Sequence, residues 1–135
     1  MEKTLAIIKP DAVQNKNIGK IVDRIEEEGF EILGLKMLNL QVEQVEEFYA
    51  VHKEKPFFGE ATQFMASGPI IVIALQKENA VKVWRNLMGA TNPEQADEGT
   101  LRKLYGTSIG NNAVHGSDSL ENAEKEVAFF FPELN

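Results

Sequence analysis

The chain has 135 residues, with 21 Asp and Glu against 14 Lys and Arg, a formal net charge of −7, two His and no Cys. A chain of that length is one domain, residues 1–135, with enough interior to need no staples, and zero cysteine excludes disulfides, Cys-based zinc sites, iron–sulfur clusters and a thiol nucleophile. The acidic balance argues against a general nucleic-acid coat and against a basic membrane-surface protein, and two histidines do not supply a three-His metal site.

The N-terminus offers only a short apolar run, Thr4–Ile8, before Lys9-Pro10. A signal peptide needs an apolar core of ~7–15 residues, and a membrane span needs ~18; the longest apolar run is Pro69–Leu75. The expected location is the cytoplasm, with no membrane partner.

In chain order, Thr4–Ile8 reads as a buried strand that ends in a turn at Lys9-Pro10-Asp11. Gly19–Gly29 reads as a helix, with Ile21, Val22 and Ile25 on one side, acids over the rest and Gly29 as its stop. Ile32–Leu40 reads as a strand in which Leu33, Leu35 and Met37 alternate against Gly34 and Lys36. Val42–Val51 is helical, with Val45, Phe48 and Tyr49 at i, i+3, i+4, and Phe57–Ala66 is a further short helix. Pro69–Leu75, uncharged and rich in Ile and Val, has the pattern of a central strand buried on both faces. Asn79–Met88 returns to helical spacing. Asn92 and Pro93 are an N-cap and a first helical position. Residues 99–113 read mainly as loop, Asn112–His115 as a short strand, and Asp118 as the cap of a last helix with Glu121 its capping-box partner.

The order fits an α+β fold, a ferredoxin-like βαββαβ sandwich with a four-stranded antiparallel sheet and helices packed on it. The long irregular stretch from about Thr91 to Asn112 is the kind of loop that carries function.

Phosphate-loop signatures are absent. Gly19-Lys20 matches the end of a Walker A motif, but position 14, where its first Gly belongs, is Gln. A nucleotide-handling protein without such a loop must hold phosphates with side chains. The arginines are Arg24, Arg85 and Arg102, and Arg suits phosphate because its planar fork matches two oxygens; taken singly, each also reads as an ordinary surface charge. The densest cluster of reactive residues is Asn111 to Ser119, where His115 follows an extended run and Gly, Ser, Asp and Ser lead into a helix. A neutral imidazole is a good nucleophile toward phosphorus, and helix-end N–H groups favour anions; the same residues also suit a structural His followed by a cap. His52 reads as a solvent-facing residue.

Asn112-Ala113-Val114-His115-Gly116-Ser117-Asp118-Ser119 resembles the Asn-x-x-His-Gly-Ser-Asp signature of nucleoside diphosphate kinases. Lys9-Pro10-Asp11, Lys55-Pro56-Phe57-Phe58, Ser67-Gly68-Pro69, Met88 to Pro93 and Gly99-Thr100-Leu101-Arg102 match that family in order and spacing, so the resemblance, to a short bacterial-type member, covers essentially the whole chain. It implies transfer of the γ-phosphate of a nucleoside triphosphate, typically ATP, to a nucleoside diphosphate by a ping-pong reaction through a phosphohistidine. By the same resemblance His115 is the nucleophile, Glu126 orients its ring and Ser117 supports it. Lys9, Tyr49, Arg85, Thr91, Arg102 and Asn112 contact phosphates or sugar, and Phe57 and Ile109 sandwich the base, whose stacking tolerates every base. No metal is held by the protein directly; Mg²⁺ arrives on the nucleotide phosphates. The resemblance also implies self-association into a homotetramer or homohexamer built from dimers. Two departures from the family stand out: Lys103-Leu104 after Arg102, and Glu98 before Gly99. Arg102→Ala is expected to lose catalytic rate more than stability. The competing reading is a non-catalytic, nucleotide-binding regulatory domain on the same fold. Specific nucleic-acid binding is not expected, for want of exposed sheet aromatics and a basic surface.

Overall fold

The structure, a computed structural model, describes residues 1–50 and 58–134. The strands are β1 (Glu2–Ile8), β2 (Glu31–Leu38), β3 (Ile70–Lys77) and β4 (Val114–Gly116). They form one antiparallel sheet in the order β2-β3-β1-β4, the order a βαββαβ chain produces. The helices are α1 (Pro10–Gln14), α2 (Ile18–Glu27), α3 (Val42–Phe48), α4 (Phe58–Met65), α5 (Ala80–Met88), α6 (Leu101–Tyr105) and α7 (Leu120–Phe130).

Both faces of the sheet are covered, which is why β1 and β3 are apolar without alternation. On one face Ala6, Ile8, Ile71, Ile73 and Leu75 pack against Ile21 and Ile25 of α2 and Trp84, Leu87 and Met88 of α5. On the other, Leu5, Ile7, Ile70, Val72 and Ala74 meet Val45 of α3, Met65 of α4, and Val127 and Phe130 of α7. Trp84 is fully buried, its ring edge-on to Phe30 and its Nε1–H donated to the His115 carbonyl at 3.2 Å. A Cβ on Gly116 would collide with that indole, so the residue after His115 has to be Gly.

Several expected boundaries move, each for a local reason. The turn at Lys9-Pro10-Asp11 is the start of α1, with Pro10 supplying a preset φ at the first helical position. In β2 the register shifts between Ile32 and Gly34, a bulge that leaves Leu33 without an opposite residue. Leu33 then packs on the α7 face, whereas Leu35 and Met37 are 46% and 58% exposed on the sheet edge. The stretch from Thr91 to Asn112 is more ordered than its composition suggests. Asn92 caps a 3-10 turn at Pro93–Gln95, accepting from Glu94 N at 3.0 Å, and Thr100 caps α6, accepting from Lys103 N at 3.3 Å. The cap of α7 is Ser119, which accepts from Asn122 N at 3.1 Å; Asp118 instead accepts from the Asn122 side chain. The fourth strand starts at Val114, not Asn112, because Ala113 stands at φ +72. Helix α3 ends at Phe48; Val51, His52 and Phe57 lie outside the described residues.

Candidate active site

His115 is the middle residue of β4 and pairs in register with Ile7 of β1. That places its imidazole on the sheet face covered by α3 and α7. The eleven residues between His115 and Glu126 are not a helical spacing, but α7 folds back over β1 and brings the two together. His115 Nε2 lies 3.0 Å from Glu126 Oε1, with both side chains 17% exposed. A carboxylate only accepts, so the Nε2–H donates to it, and in the neutral ring the lone pair is on Nδ1. Ser117 Oγ donates to the same Glu126 oxygen at 2.9 Å and accepts from Leu5 N at 3.3 Å. The carboxylate is thus tied through Ser117 to the central strand.

Aromatic rings enclose the imidazole. The Phe48 ring stands edge-on to it at 5.6 Å and the Tyr49 ring at 6.2 Å, both centroid to centroid. Burial, with the Glu126 carboxylate beside it, holds the Tyr49 phenol well above its usual range, so it stays protonated. Phe48 was visible in the sequence only as a core-facing position.

His115 opens onto a cavity of about 820 Å³ lined by Lys9, Tyr49, Glu60, Ala61, Phe64, Met65, Thr91, Arg102 and Ile109 to Asn112. Lys9 follows β1 and its Nζ donates to Asn112 Oδ1 at 2.7 Å; the Asn112 amide in turn donates to the Thr91 carbonyl at 3.0 Å. Burial first, then the neighbouring Arg102, lower the Lys9 ammonium to about 8, against an opposing pull from Asp11. Arg102 is 8% exposed, and its guanidinium donates to the carbonyls of Gly89 at 3.1 Å and Val114 at 3.0 Å. Its Nε has no partner. Burial and the Arg85 charge lower Arg102 to about 10, still protonated at neutral pH.

Of the residues expected at the site, His115, Lys9, Tyr49, Thr91, Arg102, Ile109 and Asn112 border this cavity, and Glu126 and Ser117 stand behind the imidazole. Arg85 differs. It is exposed on α5 and borders a separate cleft of about 390 Å³ with Glu2, Lys82 and Asp118, although its charge reaches Arg102. Phe57, expected under the base, lies outside the described residues. Arg24, expected to be a plain surface charge, also anchors a loop: its Nη1 donates to the Gly99 carbonyl at 2.9 Å while Nε pairs with Glu28. Glu98 is exposed and does not border the cavity, and Leu104 is 53% exposed. Glu60, Ala61 and Phe64 of α4 were not foreseen as lining, since their sequence reads as ordinary helix surface and core.

The cavity therefore combines an imidazole nitrogen with a half-buried lysine and a buried arginine. Among the described residues no three His, Cys, Asp or Glu side chains gather as a metal-holding group. Geometry of this kind suits phosphoryl transfer on an α+β sheet. The family profile described as nucleoside diphosphate kinase matches residues 2–135. The nucleoside diphosphate kinase of Chlamydia muridarum is 60% identical over 131 residues, covering 97% of this chain and 93% of that one; that of Persephonella marina is 54% identical over 134 residues, covering 99% and 96%. The crystal structure of the Aquifex aeolicus enzyme superposes with a TM-score of 0.97 at 45% identity, covering 98% and 96%. The Halobacterium salinarum enzyme in complex with CDP gives 0.92 at 40% identity, covering 96% and 87%. The chain belongs to the nucleoside diphosphate kinase family, and its activity is that of a nucleotide phosphotransferase.

Proposed function

We propose that residues 1–135 work as one domain that moves a phosphoryl group between nucleotides through His115. The observation that supports this most directly is the 3.0 Å contact between His115 Nε2 and Glu126 on a ring that lines the cavity, which leaves Nδ1 as the nitrogen available to phosphorus. In the first half-reaction the Nδ1 lone pair attacks the γ-phosphorus of a nucleoside triphosphate. The N–P bond forms, the bond to the β,γ-bridging oxygen breaks, and a nucleoside diphosphate leaves. No proton is lost from the ring, because Nε2–H stays with Glu126. In the second half-reaction a terminal β-phosphate oxygen of another nucleoside diphosphate attacks the same phosphorus and the N–P bond breaks. One histidine serves both directions, which splits a two-substrate transfer into two similar steps.

Lys9 and Arg102 supply positive charge where the equatorial oxygens of the transferring group gather charge. Asn112, Thr91 and Tyr49 offer polar contacts along the same wall, and Arg85 reaches inward from α5 when nucleotide fills the cavity. Ile109 packs on one face of the base and Phe57 on the other. Mg²⁺ enters with the phosphates and neutralises part of their charge. The ligands are nucleoside di- and triphosphates, ATP the usual donor; a relative in complex with CDP is consistent with this. The exposed edge of β2, carrying Leu35 and Met37, is the natural surface for a second copy, and assembly into a tetramer or hexamer of such dimers, measurable by light scattering, accompanies the activity. No helix among the described residues is long and apolar enough to cross a membrane, and the cytoplasm is the proposed location. A purely regulatory nucleotide-binding domain would have no use for the His115–Ser117–Glu126 array.

The test is incubation with γ-labelled ATP and Mg²⁺. The expected product is an acid-labile phosphate on His115, discharged by UDP or dGDP and missing in His115→Ala. A wild-type protein that takes up no label overturns the proposal.

A further inference from the structure

The segment that carries His115 is strained. Ala113 is fully buried and sits at φ +72, in the left-handed region that costs a non-glycine residue energy. Val114 N donates to the Asn112 carbonyl at 2.8 Å, closing a three-residue turn of the γ type around it. Asn112 on one side of the turn meets Lys9, and His115 lies two residues beyond. Such strain persists only where neighbours over-determine the conformation.

The neighbours that clamp Ala113 from outside its own turn are both supplied by the segment after β1. Lys9 N donates to the Ala113 carbonyl at 2.9 Å, a backbone bond that no substitution alters directly. The other clamp is a side chain: Ala113 N donates to Asp11 Oδ2 at 3.1 Å. The second oxygen, Oδ1, is buried beside it. We infer that Asp11 is a positioning residue for phosphoryl transfer, holding the strained turn at Ala113 so that Asn112 and His115 stand where Lys9 and Glu126 meet them. The inference rests on the reading that His115 carries the phosphate.

The same carboxylate has an electrostatic part. Asp11 opposes the forces that lower Lys9, and burial raises Asp11 itself while the amides of Ala113, Asp11 and Ala12 and the Lys9 ammonium pull it back. Around the Lys9 ammonium stand Arg102 of α6, Asn112 and His115 from the β4 segment, Tyr49 at the end of α3, and Glu60 of α4 across the cavity.

Three variants separate this role from a general structural one. Asp11→Ala removes the acceptor, and kcat falls about 100-fold, the size of effect expected when a nucleophile is misplaced by ~1 Å. Ala113→Gly in that background removes the penalty of the left-handed conformation and restores kcat at least tenfold. Asp11→Asn keeps an oxygen for Ala113 N, so kcat stays within about threefold of wild type at pH 7. Without the negative charge, however, Lys9 gives up its proton more easily, and the alkaline limb of kcat/KM moves to lower pH. The imidazole nitrogen resonances of His115, which need no turnover, shift in Asp11→Ala and return in the double variant. Wild-type kcat or unshifted imidazole signals in Asp11→Ala overturn the inference, as does failure of Ala113→Gly to rescue or an alkaline limb that Asp11→Asn leaves in place. If Asp11→Ala does not fold, the Asp11→Asn pH profile decides. A wild type that forms no phosphoenzyme overturns the functional reading instead, and the imidazole signals then judge Asp11 alone.

Discussion

Removing the charge behind the imidazole isolates what Glu126 contributes. In Glu126→Gln the amide oxygen can still accept from His115 Nε2 and Ser117 Oγ, now 3.0 and 2.9 Å away, so the tautomer and the packing survive and only the charge is lost. The imidazole gains positive character as it takes up phosphorus. A hydrogen bond to a charged partner is worth ~1.5–3 kcal/mol against ~0.5–1.5 kcal/mol for a neutral one. With the pair only 17% exposed, little of that difference is screened away. A loss of ~1.4 kcal/mol is about tenfold in rate. Glu126→Ala deletes the acceptor as well, and its rate falls by about 100-fold, since the Nε2 proton has nothing to hold it and Nδ1 is protonated for part of the time. Rapid-quench measurement of phosphoenzyme formation at saturating ATP reads both, and KM for ATP moves little because Glu126 does not line the cavity. A Glu126→Ala protein that phosphorylates at the wild-type rate, or a Gln variant slower than the Ala variant, refutes the role assigned to this carboxylate.

Lys9 ties stability to pH with a definite sign. Its folded value of about 8 lies below its ordinary 10.5, so between them the unfolded chain binds the extra proton and stability rises with pH, by ~2 kcal/mol from pH 7.5 to 10. Urea unfolding of the wild type at those two pH values should show that rise, and Lys9→Met should lack it; nucleotide affinity should fall over the same range as the charge is lost. Arg102→Ala also bears on stability, because the guanidinium is buried and bonded to two carbonyls. It should lose ~2 kcal/mol of stability along with its activity, and a denaturation midpoint equal to that of the wild type would show that those bonds contribute nothing.

The sheet was legible because burial on both faces writes itself as uninterrupted apolar residues in β1 and β3. The bulge in β2 was not legible: nothing in Leu33-Gly34-Leu35 states that Leu33 will be skipped. Gly34 gives a reason only after the fact, since a Cβ there would strike the Phe131 ring. Helix α6 was missed because five residues are too few for a periodic signal, and its main determinants are the Thr100 cap and the buried Leu101 and Arg102. At the site, the meeting of His115 with Glu126 and Ser117 was expected from family resemblance and not from pattern, as the distance from His115 to Glu126 in sequence carries no geometric content. What the sequence withheld was how the polar groups pair. Asn112 binds Lys9 and Thr91, and Arg102 binds Gly89 and Val114; partners so distant along the chain are fixed by tertiary packing alone.

An acidic chain can keep a phosphate site because charge acts locally. The surplus carboxylates at Glu26–Glu28 and at Glu43, Glu46 and Glu47 are exposed on helices, where water and salt screen them within ~8 Å. Arg102 is buried and Lys9 half-buried, in surroundings where a charge is felt strongly and costs stability to maintain. That cost is visible in the lowered values of both groups. The apolar interior on both faces of β1 and β3 offsets it. An arriving phosphate reverses its sign: the anion favours the protonated lysine, so part of the energy that burial withheld from Lys9 returns as binding. Ligand should accordingly raise both the Lys9 value and the melting temperature. A cavity that destabilises its own cations when empty is thereby selective for an anion dense enough to restore them.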